Sequence, residues 1–152
     1  MTDSTHQLPR YLLGFAAGFV AVLVFHQGML TLLRAIHFIS VAPFPLDPTS
    51  PFGVPKIWSL AFWGGIWGVV FVLLERSFPR HLLSYLIAAI VFGAIGPSLV
   101  AWFVVSPIKG LPMGGGFHSA GVITALSING AWGLGTALFL LAEAGRRQTR
   151  LT

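Results

Sequence analysis

The sequence predicts an all-α polytopic membrane protein whose four transmembrane helices form two antiparallel hairpins. Three observations lead there. Four long apolar stretches run roughly over Tyr11–Leu33, Ile57–Leu74, Leu82–Val105 and Ala120–Ala142. None of them contains Asp, Glu, Lys or Arg, so the nine basic and four acidic residues all fall between or outside them. Each is close to the ~20 apolar residues that a helix needs to cross a hydrocarbon core, the second only just. The composition agrees: 55% of residues are hydrophobic, 9% are charged and the mean hydropathy is +0.83, far from the norm of soluble chains. The whole chain, 1–152, reads as one integral membrane domain with no room for a separate soluble one.

The first stretch follows Arg10 and is longer than the 7–15 apolar residues usual in a cleaved leader. Its one small-residue triplet, Ser40–Val41–Ala42, is followed by Pro43, a poor residue after a cleavage point. The stretch therefore reads as a retained helix. The outer connection that follows, about Arg34–Lys56, holds Pro43, Pro45, Pro48, Pro51 and Pro55. Proline fixes φ and lacks a donor, so this segment cannot continue the helix. An extended strap along the membrane surface is expected, anchored by Phe38, Phe44 and Phe52. The second and third stretches are joined by a short polar turn, Glu75–His81. The third contains Pro97 between Gly93 and Gly96; this proline frees the Gly93 carbonyl and should kink the helix. The second outer connection, Ser106–His118, carries Pro107, Pro112 and three consecutive glycines, Gly114–Gly115–Gly116, which read as a flexible connector or else as a hinge or a ligand-touching turn. The fourth stretch closes the bundle.

Orientation follows from the lysines and arginines of the short connections. With four spans, both termini and the middle turn share a side. That side holds Arg10, Arg76, Arg80, Arg146, Arg147 and Arg150, against Arg34, Lys56 and Lys109 opposite. Both termini are therefore expected in the cytoplasm.

A shift of 65 positions reveals a pattern. Gly65–Ile66–Trp67–Gly68 falls on Gly130–Ala131–Trp132–Gly133, and Phe52 falls on Phe117. Spans one and three do not align under the same shift. The reading is a possible internal duplication, two hairpins in the same orientation; shared membrane composition is the alternative. Membrane helices associate through close backbone approach, so small residues one turn apart mark packing faces. Gly64 and Gly68, Gly14 and Gly18, Ala17 and Ala21, Ala89 and Gly93, and Gly121 and Ala125 are such pairs. Trp67 and Trp132 sit mid-span, where tryptophan is unusual, and each indole N–H needs an acceptor there. Each ring is expected to fill a groove left by a neighbouring helix's glycines. Trp58 and Trp102 lie near the outer ends and read as belt residues.

Few polar groups within the spans could carry chemistry: His26 and Gln27 in the first, Asn129, Ser127, Thr124 and Thr136 in the fourth. An intramembrane ionisable residue is a functional candidate. His26 could ligate haem, for which His118 is the one partner on another helix, or it could simply be hydrogen-bonded by Gln27. His37, eleven residues further along, lies too far along the helix to share an iron. Asn129 reads as interhelical glue. The chain has no cysteine, which excludes disulfides, thiol catalysis and cysteine-ligated clusters. It carries no intramembrane carboxylate, no HExxH, no GxSxG and no phosphate-cradling loop beside a lysine. Catalysis, a cofactor and a metal are not expected. The net charge of +5 comes from residues flanking spans, not from a basic stripe, so nucleic acid is not an expected partner.

The run Pro51–Phe52–Gly53–Val54–Pro55, followed by Ser59–Leu60–Ala61–Phe62–Trp63–Gly64–Gly65 and Trp67–Gly68, together with Phe25–His26–Gln27–Gly28, resembles a group of small four-span bacterial membrane proteins over nearly the whole chain. The resemblance implies a bacterial inner membrane; it carries over no activity and no residue role. The leading expectation is a scaffold or accessory subunit whose partners are the lipid bilayer and a second copy or a larger membrane complex. The alternative is a minimal transporter or channel for a small neutral solute, with a pathway lined by His26, Asn129 and the hydroxyls. The third reading is a haem- or quinone-binding subunit using His26.

Overall fold

The computed structural model describes residues 4–149 and is mostly helical. Helix α1 begins at Ser4 and runs to Ala35, winding through a wider π turn at Val22–His26. Helix α2 spans Lys56–Leu74 and ends in a 3-10 turn, Glu75–Ser77. Helix α3 starts at Leu82, remains helical through Pro97 to Val100, and continues by a second π turn at Ala101–Val105 to Ile108. Helix α4 spans Ser119–Thr149. Each is longer than the apolar stretch it contains. All four are long and apolar enough to cross a membrane, which suggests a multi-pass membrane protein. Large apolar side chains such as Leu12, Trp63, Leu83 and Phe103 cover the outside of the bundle, a surface suited to lipid rather than water. Of the basic residues assigned to the inner side, Arg150 and the side chain of Arg147 lie outside the described residues.

The helices pack in two tight pairs. A methyl group added to Gly68 would land on the Gly14 carbonyl, and one added to Gly18 on the Gly64 carbonyl. Positions 14 and 18 thus meet 68 and 64 in reverse order, with backbone against backbone. In the second pair a methyl at Gly133 would land on the Ala89 carbonyl, and one at Gly93 would lie 2.5 Å from the Asn129 carbonyl oxygen. Close approach of this kind is what small residues provide in a medium that gives no hydrophobic drive between helices. The positions in α2 and α4 correspond at the 65-residue shift, Gly68 to Gly133 and Gly64 to Asn129. Those in α1 and α3 correspond at 75, Gly14 to Ala89 and Gly18 to Gly93. The ten-residue difference is the difference in length between the two connections that join the helices of each pair, twenty residues at 36–55 against ten at 109–118, so one constant shift cannot align both helices of each pair.

Aromatic side chains join the pairs to each other. The Phe25 ring meets Phe139 edge-on at 5.9 Å and Trp67 meets Phe92 at 6.0 Å. Phe71, fully buried, packs against Phe78 and Phe92 at 5.3 and 5.6 Å. Gly121 behaves otherwise: among the described residues nothing lies within 4 Å of a methyl placed there, so no close backbone approach occurs at Gly121.

The ends of α1 and α3 share a stop. Phe38 N donates to Leu33 O at 2.9 Å and His37 N to Arg34 O at 2.9 Å; Leu111 N donates to Ser106 O and Gly110 N to Pro107 O, both at 2.9 Å. Both are six-to-one and five-to-two closures around a left-handed residue. Gly110 fills that place at φ +68° without strain, while His37 fills its counterpart at φ +59°.

Candidate functional site

The proline-rich strap leaves α1, turns back and supplies the start of α2. Lys56 and Ile57 N–H groups at the head of α2 have no intrahelical acceptor, and no side chain caps them. Carbonyls of the strap do so instead: Lys56 N donates to Asp47 O and Ile57 N to Pro45 O, each at 2.9 Å. A two-residue antiparallel ladder, β1 (Pro48–Thr49) with β2 (Val54–Pro55), closes the strap, and the Thr49 hydroxyl donates to Val54 O at 2.8 Å.

Gln27 fastens this strap to α1. Its side chain is fully buried. Its Oε1 accepts the Phe44 backbone N–H at 2.6 Å, and its Nε2 lies 3.2 Å from His26 Nδ1. The Phe44 backbone is left-handed at φ +53°, an uncommon conformation outside glycine, worth inspection wherever it appears. Here it turns the Phe44 N–H toward Gln27 while the Phe44 ring stays about half exposed. His26 itself is half-buried on the π turn, with Gln27 as its partner. His118 stands exposed just before α4, in the connection from α3, and no hydrogen bond joins it to His26 among the described residues. There is no group of three metal-ligating side chains among the described residues.

Deeper in the bundle the remaining polar groups bridge helices. Asn129 Nδ2 donates to the buried Ser98 hydroxyl at 2.9 Å, joining α4 to α3 just after Pro97. Trp132 Nε1 donates to Gly18 O at 2.9 Å, so α4 reaches the tight α1–α2 contact. The Trp132 ring is buried, and Gly64 leaves room for it: a methyl there would lie 3.3 Å from Nε1. Thr136 donates to its own helix, to Trp132 O at 3.0 Å. Trp67, which falls on Trp132 at the 65-residue shift, is only half-buried; its ring covers Gly96, where a methyl would sit 3.4 Å from Cζ3. The glycines of the two motifs therefore differ in role: Gly64, Gly68 and Gly133 admit a neighbouring backbone or ring, a methyl added to Gly65 would lie 2.6 Å from the Phe15 ring, and one added to Gly130 would meet nothing nearer than 3.4 Å among the described residues.

Two parts of this arrangement lay outside the sequence reading. Ser98 was hidden by its neighbour Pro97, though a hydroxyl in one apolar helix is a natural partner for a lone asparagine in another. The second is a cluster at the opposite end. Glu75 Oε2 takes Arg10 Nη2 at 2.6 Å and Glu75 Oε1 takes the Tyr85 hydroxyl at 3.0 Å, tying α1, the end of α2 and α3 together. The signal was available: Glu75 is the one carboxylate in the connection between the second and third spans.

The chain matches no family model, no curated protein and no solved structure.

Replacing Gln27 tests the strap latch. In Gln27→Leu the Phe44 N–H loses its acceptor, at a cost of about 1–3 kcal/mol for a buried group left unsatisfied. Hydrogen exchange in detergent should quicken across 38–55 and leave α4 unchanged. His26→Leu, which removes only a half-buried partner of Gln27, should have the smaller effect. Equal exchange of 38–55 in wild type and Gln27→Leu would show that the latch does not hold the strap.

Proposed function

We propose that the chain is an inner-membrane protein of a bacterium, with both termini cytoplasmic. Its two antiparallel hairpins descend from one duplicated hairpin, and it works as a scaffold or accessory subunit rather than as an enzyme. The observation that carries this reading is how the polar and small residues are used. Glycines bring backbones into contact, and Ala21, Ala61, Phe71, Ala89 and Thr136 are fully buried between the helices. Gln27, Asn129, Ser98 and Trp132 spend their polar atoms on the strap and on neighbouring helices. Such groups act as interhelical glue. The duplication is supported by the recurring contact pairs at shifts of 65 and 75. The open surface at Gly121, next to Ala125 one turn on, offers a second copy or a larger complex the close approach that the other glycine pairs use within the chain.

Purification in mild detergent followed by native mass spectrometry tests the assignment, together with flux of glycerol and urea into liposomes. A stable complex with itself or with other membrane proteins, and flux no faster than in empty liposomes, is expected. A lone monomer that accelerates flux would replace the scaffold with the minimal channel.

A further inference from the structure

We infer that a cavity at the Arg10 end of the bundle binds the phosphate headgroup of an anionic phospholipid. The cavity has a volume of about 700 Å³ and opens between the start of α1, the turn from α2 to α3, and α4. Three arginines line it, Arg10, Arg76 and Arg80, against one carboxylate, Glu75. That carboxylate is already committed: one oxygen holds Arg10 at 2.6 Å and the other accepts from Tyr85 at 3.0 Å. Arg76 and Arg80 form no ion pair among the described residues, so the cavity presents two guanidinium groups without a counter-charge. Guanidinium forks match phosphate oxygens in planar, two-bond geometry.

The other wall is apolar, made of Phe78, Leu82 and Leu141. Leu82 is the first residue of α3 and lies just past the arginines in sequence. The cavity therefore sits at the boundary between charged connection and apolar span, with cations on one side and hydrocarbon on the other. A free phosphate would use the arginines and leave the apolar wall bare. A phospholipid satisfies both, headgroup against arginine and the first part of an acyl chain against Phe78 and Leu82. Basic pockets between helices at the membrane surface take anionic headgroups for this reason. Binding depends on the cavity and not on which leaflet it faces, so it can fail or hold independently of the topology proposed above.

The test uses the full chain, delipidated in neutral detergent, with phosphatidylglycerol, phosphatidylcholine and inorganic phosphate as probes. Native mass spectrometry should show phosphatidylglycerol retained over phosphatidylcholine. The same lipid should raise the unfolding temperature, and inorganic phosphate at equal concentration should not. The double variant Arg76→Gln/Arg80→Gln should bind phosphatidylglycerol about twenty-five-fold more weakly, two arginines at about a factor of five each. Lys109→Gln, at the opposite end, should bind as wild type. Equal retention of the two lipids by wild type would overturn the proposal, and that comparison stands even if the double variant folds poorly. Unchanged affinity in a folded double variant would overturn it as well. Stabilisation by inorganic phosphate equal to that by phosphatidylglycerol would replace the lipid site with a simple anion site.

Discussion

Gly68→Leu and Gly133→Leu are each expected to break the helix pair they sit in. A methyl group alone would already land on a neighbouring backbone carbonyl, that of Gly14 for Gly68 and that of Ala89 for Gly133. A carbonyl in a helix cannot rotate aside as a flexible side chain can, so the two helices must separate. Overpacking ordinarily costs about 1–3 kcal/mol and more where the backbone has to move. Separation also withdraws the Gly18 carbonyl from Trp132 in the Gly68 variant, because Gly18 lies one turn from Gly14 on the same face. Thermal unfolding in detergent, followed by circular dichroism and size exclusion, should show both leucine variants unfolded or aggregated. Gly68→Ala and Gly133→Ala should melt well below wild type. Gly130→Ala should be tolerated, since its nearest neighbour is 3.4 Å from the new methyl, and Gly28→Ala should be silent because nothing lies within 4 Å. If Gly68→Ala and Gly133→Ala melt together with Gly28→Ala, the glycines are not where the helices touch.

The elements of this fold were legible because their cause is local. A run without charge, long enough for a bilayer, marks a helix whatever it packs against, and prolines mark where helices cannot continue. The glycine pairs were legible for a similar reason: in a chain apolar on every face, small residues are the one local sign of where a neighbour approaches. That sign has limits. Gly121 and Ala125 carry the same pattern as Gly14 and Gly18, yet nothing among the described residues lies within 4 Å of a methyl at Gly121. The contacts that fasten the site were less legible, since each depends on where distant segments arrive. Gln27 could be named as a buried amide, but its acceptor role toward Phe44 depends on the strap turning back over α1. Trp132 was known to need an acceptor; that it is the Gly18 carbonyl follows only from the way α4 lies across the α1–α2 contact. His37 carried no sequence sign of its place, because a left-handed helix stop usually falls to glycine. The recurrence of contact positions was half visible: those of α2 and α4 align at 65, while those of α1 and α3 were concealed because the connections 36–55 and 109–118 differ in length.

Membrane insertion with four spans is the claim on which everything else depends, and site-directed labelling tests it most directly. The chain has no cysteine, so each introduced thiol is the only one present. Leu46→Cys in the strap, Ser77→Cys in the turn after α2 and Leu111→Cys in the second outer connection all fall at exposed positions outside the bundle interior. In intact bacterial cells a membrane-impermeant maleimide should label Leu46→Cys and Leu111→Cys, because the proposed orientation, which six basic residues against three favour, puts the Ser77 side in the cytoplasm. Ser77→Cys should remain unlabelled until the membrane is permeabilised. Labelling of Ser77→Cys in intact cells, or protection of either of the other two, would contradict the topology; all three labelling alike without permeabilisation would contradict the four-span membrane protein itself.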